Sequence, residues 1–382
     1  MTVGPLEAAI AEHIGEAGSI GFDEYVAHAL YTPRLGFYAG GGGAGRGRDF
    51  LTAPEVGPLF GAVLARALDT WWEEMGRPDP YWVIEAGAGR GTLARSLLAA
   101  EPGCGAALRL VLVEPARTQW STHPDGVQSR SDLPDSDELG PGPKVVLANE
   151  LLDNLPFGLA ELTEHGWSEV RVAVESAPDG SGPRLVERLE RLDPARAAWC
   201  ERRSAGEVDE GAPRPGGPPD VGARIPVQAD AASWLAEALD LAAGGRVVVT
   251  DYCSTTAEMA RRPWTDWLRT YLGHGRGGHP LDAPGSCDIT VEVAVDQLTV
   301  VSPPSCAVTQ ADFLRAHGLD DLVAEGRAAW HDRSDGRIDL ASIAARSRVT
   351  EAEALTDPAG LGGFRVLEWS GWRARAAGRP AG

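Results

Sequence analysis

The chain has 382 residues, 43% of them hydrophobic and 24% charged, which is the composition of an ordinary globular protein with one large domain or two smaller ones. Its formal net charge of −20 comes from 35 basic and 55 acidic residues, which disfavours a broad nucleic-acid-binding face and favours a basic substrate or partner. The five cysteines are odd in number and show no C-x-x-C spacing, so we expect a reduced, cytoplasmic protein without a metal site. No segment has the apolar length of a membrane span or a signal peptide, so we expect no membrane partner.

The first quarter of the chain is predicted to be helical with one long loop. Apolar residues at helical spacing over 5–31 predict two short helices, broken at 18–21. Residues 31–58 are rich in glycine and are predicted to form a mobile surface loop, centred on GGGGAGRG at 40–47. A solid helix is expected over 59–75.

From residue 82 to residue 156 the pattern alternates between strand and helix, which predicts a parallel sheet with covering helices. After residue 157 the sequence predicts a hairpin at 159–175 and a flexible loop at 203–222, which is rich in Pro, Gly and acids. The α/β pattern then returns with a helix and the strand RVVVTDY at 246–252, before an aromatic and basic insertion at 261–293.

The segment WVIEAGAGRGT at 82–92 has the outline of a strand, a tight turn and a helix start. Its glycines, Gly87, Gly89 and Gly91, follow G-x-G-x-G, whereas dinucleotide folds need the third glycine where this chain has Thr92. The spacing therefore argues against a nicotinamide oxidoreductase, and Glu85 at the strand end would repel a pyrophosphate.

Polar side chains follow four of the predicted strands, where open parallel sheets bind their ligands. They are Glu85, Glu114, the pair Asn149 and Glu150, and Asp251. Glu114 lies where a carboxylate can accept hydrogen bonds from both hydroxyls of a ribose. A ligand with an adenosine, no pyrophosphate and a positive charge suits this set, and S-adenosylmethionine (SAM) is such a ligand.

The chain resembles the MidA family of class I SAM-dependent methyltransferases, which includes a mitochondrial complex I assembly factor that acts as a protein-arginine methyltransferase. The resemblance runs nearly end to end and is most specific in RDFLTAPEVGPLFG (48–61), IEAGAGRGTL (84–93), ANELLDNLPF (148–157) and LTDPAGLGGFRVL (355–367). It implies an α/β fold with a class I, Rossmann-like parallel sheet. It also implies an N-terminal helical lid region at 1–76 and a methyltransferase domain at 77–382, with insertions after the fourth and fifth strands at about 158–228 and 254–295.

The resemblance also implies roles for the site residues. The cofactor SAM would be bound by Glu85, Gly87, Gly89, Gly91, Glu114, Asp132 and Asn149. Of these, Glu114 would hold the ribose and Asp132 the adenine edge. The catalytic acids would be Glu150, Asp153 and Asp251. Thr52, Pro54 and Glu55 would fold over the cofactor as a lid, although Pro54 and Glu55 also suit the first turn of the next helix.

The sequence leaves three alternatives: a methyltransferase that acts on a protein or peptide arginine, one that acts on a small molecule, and a non-catalytic assembly factor with the same fold. Where the family commonly has Ala-His after the Asp-Ile-Thr motif, this chain has Val291 and Glu292, and Cys253 replaces a glycine after Asp251 and Tyr252. A hydroxyl acceptor would need a general base, for which His274 and His279 are candidates. We also consider a homodimer.

Overall fold

The computed structural model describes residues 4–40, 42, 52–176, 183–206, 217–272, 275–332 and 340–371. The helices are α1 Pro5–Ala17, α2 Phe22–Tyr31, α3 Ala53–Val56, α4 Pro58–Glu74, α5 Thr92–Ala99, α6 Pro194–Ala205, α7 Ala229–Ala242, α8 Thr256–Met259, α9 Trp264–Trp267, α10 Val295–Val301, α11 Gln310–Ala316, α12 Leu319–Asp332 and α13 Leu340–Thr356. The strands are β1 Ile20–Gly21, β2 Tyr81–Ala86, β3 Leu108–Val113, β4 Gln128–Arg130, β5 Val145–Asn149, β6 Gly158–Thr163, β7 Gly166–Ser176, β8 Pro183–Arg191, β9 Arg224–Val227, β10 Arg246–Asp251, β11 Cys253–Ser254, β12 Leu268–Leu272, β13 Gly275–Arg276, β14 Asp288–Val291, β15 Val293–Ala294, β16 Cys306–Thr309 and β17 Arg365–Ser370.

A seven-stranded sheet in the order β16-β17-β10-β5-β2-β3-β4 forms the centre of the molecule. The five strands from β10 to β4 are parallel, and β17 runs antiparallel to both of its neighbours. The chain first moves from β2 outward through β3 to β4 and then crosses to β5 on the other side, so the strand order reverses between β2 and β5. In open α/β sheets this reversal opens a crevice beyond the carboxyl ends of the strands.

Both faces of this sheet are covered, which explains the nearly continuous apolar runs in its strands. In β2, Tyr81 and Val83 face one hydrophobic cluster with α4 and α5, while Ile84 faces another with α7. Val83 stands opposite Leu110 of β3 and Val145 of β5, so the register keeps each face apolar across neighbouring strands. The predicted alternation of strands and helices is confirmed.

A second sheet, in the order β1-β7-β6-β9 with β8 beside β7, is wholly antiparallel. The predicted hairpin at 159–175 is confirmed as β6 and β7. The first helices pack here, because Ile10 and Phe22 bury their side chains with Leu159 and Val170 in one cluster. The strand β1 pairs with β7, so the N-terminal segment and the excursion after β5 form one packed unit.

Two small sheets, β13-β12-β14 and β11-β15, occupy the predicted insertion after β10. Among the helices that the structure describes, none is both long enough and apolar enough to cross a membrane.

The predicted surface loop from residue 31 is irregular as expected, but its first part is packed against the fold. Residues 32–40 form turns, the side chain of Phe37 is buried in the cluster that contains α2, and its backbone N–H donates to Ala29 O at 3.0 Å. Most of the predicted lid loop at 40–47, and part of the predicted loop at 203–222, lie outside the described residues. The division of the chain at residue 76 stays a prediction.

Candidate active site

A cavity of about 450 Å³ lies beyond the carboxyl ends of β2, β3 and β5, at the strand-order reversal. Polar and charged side chains that line it include Tyr31, Arg34, Tyr38, Thr52, Glu55, Glu85, Arg90, Thr92, Glu114, Arg117, Gln119, Asn149, Glu150 and Asn154. Its size suits a nucleoside-sized ligand together with part of an acceptor.

The turn after β2 has all three glycines in the left-handed region, with φ of 71° at Gly87, 51° at Gly89 and 71° at Gly91. Two of them, Gly87 and Gly89, line the cavity, and a Cβ on Gly89 would meet nothing closer than 3.9 Å, so its backbone faces open space. The third, Gly91, packs away from the cavity, because a Cβ there would lie 3.2 Å from His123. The turn therefore exposes backbone to a ligand at Gly89, while Gly91 serves the start of α5.

Glu114, directly after β3, is held against this turn by two backbone donors. The N–H of Gly89 donates to its Oε2 at 2.9 Å and the N–H of Ala116 to its Oε1 at 2.7 Å. Each carboxylate oxygen keeps a further lone-pair site, and Glu114 lines the cavity. Burial raises the pKa of Glu114, and the two N–H bonds oppose that rise. The position of the Glu114 carboxylate therefore suits hydrogen bonds accepted from the two hydroxyls of a diol.

Glu85, near the end of β2, lines the cavity but is almost fully buried. Burial raises its pKa to about 8, and the charge of Glu114 adds to the rise. A cation bound in the cavity would favour the ionised form of this carboxyl group.

Glu150, after β5, has a backbone φ of 50°, which is uncommon for a residue with a side chain. Its carboxylate lies on the cavity wall and accepts from Ala53 N–H at 3.2 Å, from Asn149 Nδ2 at 3.2 Å and from the Tyr252 hydroxyl at 3.4 Å. Burial raises its pKa to about 7. The Oδ1 atom of Asn149 is buried and has no hydrogen-bond partner among the described residues, which leaves an acceptor at the cavity for a ligand donor.

Asp153 and Asp251 are not among the described residues that line the cavity, and both are buried behind its wall. The Asp251 carboxylate accepts from the backbone N–H groups of Leu152, Asp153 and Tyr252 at 3.1, 3.3 and 2.9 Å, so it fixes the turn that carries Glu150. Burial raises the pKa of both aspartates, and the charge of Asp251 raises that of Asp153 further. Asp251 therefore positions the turn that carries Glu150 and does not itself face the cavity.

The N-terminal region supplies the opposite wall. Thr52, Pro54 and Glu55 line the cavity. Pro54 and Glu55 also lie in the first turn of the short helix α3, as the second prediction for this segment had it, and their role as a lid over the cofactor stays a prediction. Glu55 accepts from the Thr92 hydroxyl at 2.7 Å, which ties α3 to the start of α5.

Two aromatic residues of this wall were missed in the sequence. Tyr31 and Tyr38 stack with ring centroids 5.7 Å apart, and their hydroxyls donate to Asn154 O at 2.9 Å and to Asp288 Oδ1 at 3.0 Å. The sequence signal is a pair of aromatic residues shortly before the glycine-rich stretch at 40–47. Their partners lie more than a hundred residues away, so local pattern could not identify them.

Several other predicted residues lie away from the cavity. Asp132 is exposed beyond β4, where its carboxylate accepts from Ser131, and it does not line the cavity. The Glu292 carboxylate forms ion pairs with two guanidinium groups, Oε2 with Arg262 Nη2 at 2.5 Å and Oε1 with Arg269 Nη2 at 2.9 Å. His279 lies 3.3 Å from Glu187 in the insertion. His274 lies outside the described residues.

The sheet and the cavity define a class I methyltransferase-like fold with a nucleoside site at the strand-order reversal. Over residues 63–312 the chain matches the S-adenosyl-L-methionine-dependent methyltransferase family, and it belongs to that family. It is 27% identical over 347 residues to the mitochondrial protein arginine methyltransferase NDUFAF7 of Danio rerio, covering 81% of this chain and 76% of that protein. The homologue of that protein in Drosophila melanogaster is 28% identical over 328 residues, covering 76% and 68%.

A solved structure supports the same assignment. A protein of Burkholderia thailandensis, bound to S-adenosyl-homocysteine, superposes with a TM-score of 0.76 at 26% identity, covering 96% of this chain and 91% of that chain. The chain is therefore a SAM-dependent methyltransferase, as the sequence predicted.

The cavity fits this cofactor on its own geometry. Backbone at Gly89 is open to a ligand, Glu114 presents lone pairs for a diol, and Asn149 Oδ1 is an unused acceptor. These three groups come from the ends of three adjacent strands, which is where the fold can present them to one ligand.

Proposed function

We propose that this methyltransferase acts on a guanidinium nitrogen of arginine in a protein or peptide. The observation that carries the proposal is Glu150, a half-buried carboxylate on the cavity wall whose own backbone is held in the left-handed region. A carboxylate in this position can pair with a guanidinium through parallel hydrogen bonds. The names of the relatives from Danio rerio and Drosophila melanogaster support the same acceptor class.

When bound, SAM supplies a methyl group on a positively charged sulfur, which becomes a neutral thioether when the acceptor takes the methyl group. The acceptor must therefore be aligned with that carbon, and alignment provides much of the rate. Glu150 would hold the guanidinium and take up the proton that the methylated nitrogen releases, a role that suits a pKa of about 7. Asp251 would hold the turn that carries Glu150, through its bonds to Leu152 and Asp153.

The Val291 and Glu292 departure gives no support to a different acceptor class. The Glu292 side chain is engaged by Arg262 and Arg269 and does not line the cavity among the described residues. The charge of a buried carboxylate between two guanidinium groups is already compensated, so this carboxylate is not available to bind a substrate.

The test is single-turnover methyl transfer from SAM labelled in its methyl group to a panel of arginine peptides, each paired with a lysine version. We expect transfer to arginine peptides and release of methylarginine on hydrolysis. Glu150→Gln should keep SAM affinity within about threefold while the transfer rate falls at least about a hundredfold. Glu164→Gln, an exposed turn residue, is the matched control and should behave like the parent.

A Glu150→Gln protein that methylates at the parent rate would remove this residue from the mechanism. Loss of rate without loss of acceptor affinity would contradict the pairing of Glu150 with the guanidinium, because a carboxylate that holds the acceptor should contribute to both. Transfer to neither peptide series would contradict the arginine assignment while leaving the SAM site to be tested by titration.

A further inference from the structure

Two histidines and a glutamate from the first two helices meet on the surface, away from the active-site cavity. His13 lies on α1, and Glu24 and His28 lie on α2. His13 Nε2 is 2.7 Å from Glu24 Oε1, and the rings of the two histidines meet edge to face with centroids 5.3 Å apart. One ligand atom from each of the three side chains lies within 4.8 Å of the other two.

The backbone beneath this cluster is fixed. Ile10 and Ile14 on α1, and Tyr25 and Ala29 on α2, are almost completely buried, so the two helices are locked face to face below the three polar side chains. Glu24 and His28 are four residues apart on one helix and project from the same side. Rigid elements of this kind hold ligand groups closely enough for an ion.

The donor set has the chemistry of a borderline divalent metal. Two imidazoles and one carboxylate are ligands that Zn²⁺ accepts in four-coordinate sites, with water in the fourth position. His28 Nδ1 is 3.4 Å from the Thr32 hydroxyl, a contact of the kind that orients a histidine ring whose other nitrogen binds a metal.

The surrounding charge favours a cation as well. The helices α1 and α2 contain no Lys or Arg. They carry the acids Glu7, Glu12, Glu16, Asp23 and Glu24. A divalent ion brought between the helices would reduce repulsion among these carboxylates, in addition to gaining its own ligands.

We propose that His13, Glu24 and His28 form a zinc-binding site that cross-links α1 and α2. The proposal departs from the prediction of no metal, which rested on cysteine spacing and could not register ligands brought together by two helices. The helix α2 ends at Tyr31, whose side chain lines the active-site cavity. A metal that ties α2 to α1 would therefore stabilise one wall of the cavity.

The test uses the full chain, freed of any affinity tag and treated with a chelator, and titrates it with zinc chloride by calorimetry. We expect one zinc ion per chain. His13→Asn and His28→Asn should each weaken binding at least about tenfold, because losing only a group that orients a metal ligand already costs about that much. His165→Asn is the matched control, since His165 is exposed on the turn between β6 and β7 and is not one of the three proposed ligands. Cobalt(II), added in place of zinc, should give the visible absorption of a four-coordinate site in the parent and not in the variants.

A second measurement separates this site from chance binding elsewhere. Zinc should raise the thermal midpoint of the parent and of His165→Asn, because an ion that binds only the folded chain stabilises it. It should leave the midpoints of His13→Asn and His28→Asn unchanged, while circular dichroism shows that both remain folded. Two results would overturn the proposal. One is equal zinc affinity in the parent and both variants. The other is no binding at about 100 µM zinc chloride, a concentration far above the dissociation constants of structural zinc sites.

Discussion

Glu150 combines an unfavourable backbone conformation with a carboxylate that lines the active-site cavity. Its φ of 50° costs free energy in a residue with a Cβ, and such strain persists where the surrounding structure holds it. Here the holding groups are the N–H of Glu150, which donates to Thr250 O at 2.8 Å, and the donors from Ala53, Asn149 and Tyr252 to its carboxylate. The result is a single orientation of one carboxylate at the cavity wall.

The pH dependence of catalysis should report the protonation state of Glu150. Burial raises its pKa to about 7, so the ionised form that pairs with a guanidinium grows as pH rises from 6 to 8. We expect kcat/KM to rise over this range in the parent, and Glu150→Gln to lose the component centred near 7. Glu85, with a pKa raised to about 8, should give a separate, later component. A Glu150→Gln profile that keeps the same rise near pH 7 would contradict the assignment.

Glu114 should set much of the affinity for SAM. Glu114→Ala removes a carboxylate that is placed to accept from a ribose diol and should weaken binding by roughly 2 to 3 kcal/mol. Glu114→Gln keeps the shape of the side chain and should lose less. Calorimetric titration with SAM and S-adenosyl-homocysteine measures the change, and Glu164→Ala is the exposed control. Unchanged affinity in Glu114→Ala would remove the ribose role.

The start of α4, directly after the short helix α3, depends on an element from the far end of the chain. Glu351 on α13 is buried and accepts from the backbone N–H of Leu59 at 2.9 Å and from the Ser347 hydroxyl at 2.6 Å. It thereby supplies the acceptor that the start of α4 needs, since that helix has no side-chain cap of its own. A Cβ on Gly57, between α3 and α4, would meet this carboxylate at 2.3 Å, so a side chain there would displace Glu351 from the N–H of Leu59.

Removing this contact should loosen the cavity wall as well as the fold. Glu351→Ala leaves a buried N–H without its acceptor, and we expect a loss of about 1 to 3 kcal/mol in the free energy of unfolding. Because α3 carries Pro54 and Glu55, amide hydrogen exchange should also rise over 53–56. Glu353→Ala, exposed on the same helix, should change neither. Denaturant unfolding and exchange measure both effects, and equal results for the two variants would refute the capping role.

At the scale of the whole molecule, buried acids should make the ligand-free protein less stable as pH rises. Burial raises the pKa of Glu85 to about 8 and of Glu150 to about 7, so the folded state holds these protons more tightly than the unfolded chain does. Their stabilising contribution is therefore complete below about pH 4 and is lost as pH rises through about 7 and 8. The free energy of unfolding should fall by about 1 kcal/mol or more between pH 6 and pH 9.

Urea unfolding at the two pH values tests this expectation. The double variant Glu85→Gln with Glu150→Gln should show a smaller difference, because neither side chain then titrates. If the free energy of unfolding of the parent is constant or rises from pH 6 to pH 9, Glu85 and Glu150 do not determine the pH dependence of its stability.

Local pattern was enough to predict the central architecture and the cofactor edge. Apolar runs bounded by turns predicted β2, β3, β5 and β10, because buried parallel strands need side chains that suit two covered faces. The G-x-G-x-G turn and the polar residues after the strands then predicted where a ligand binds, since parallel strands end at one edge of the sheet.

Tertiary contacts alone decided which of those polar residues face the ligand. Glu150 and Asp251 look alike as acids at strand ends, yet one lines the cavity and the other accepts from backbone N–H groups 98 and 99 residues away. Glu292 meets its arginines, and Tyr31 meets Asn154, only after distant segments pack together. Hydrophobic periodicity reports which face of an element is buried, but it carries no information about which distant partner a polar side chain meets.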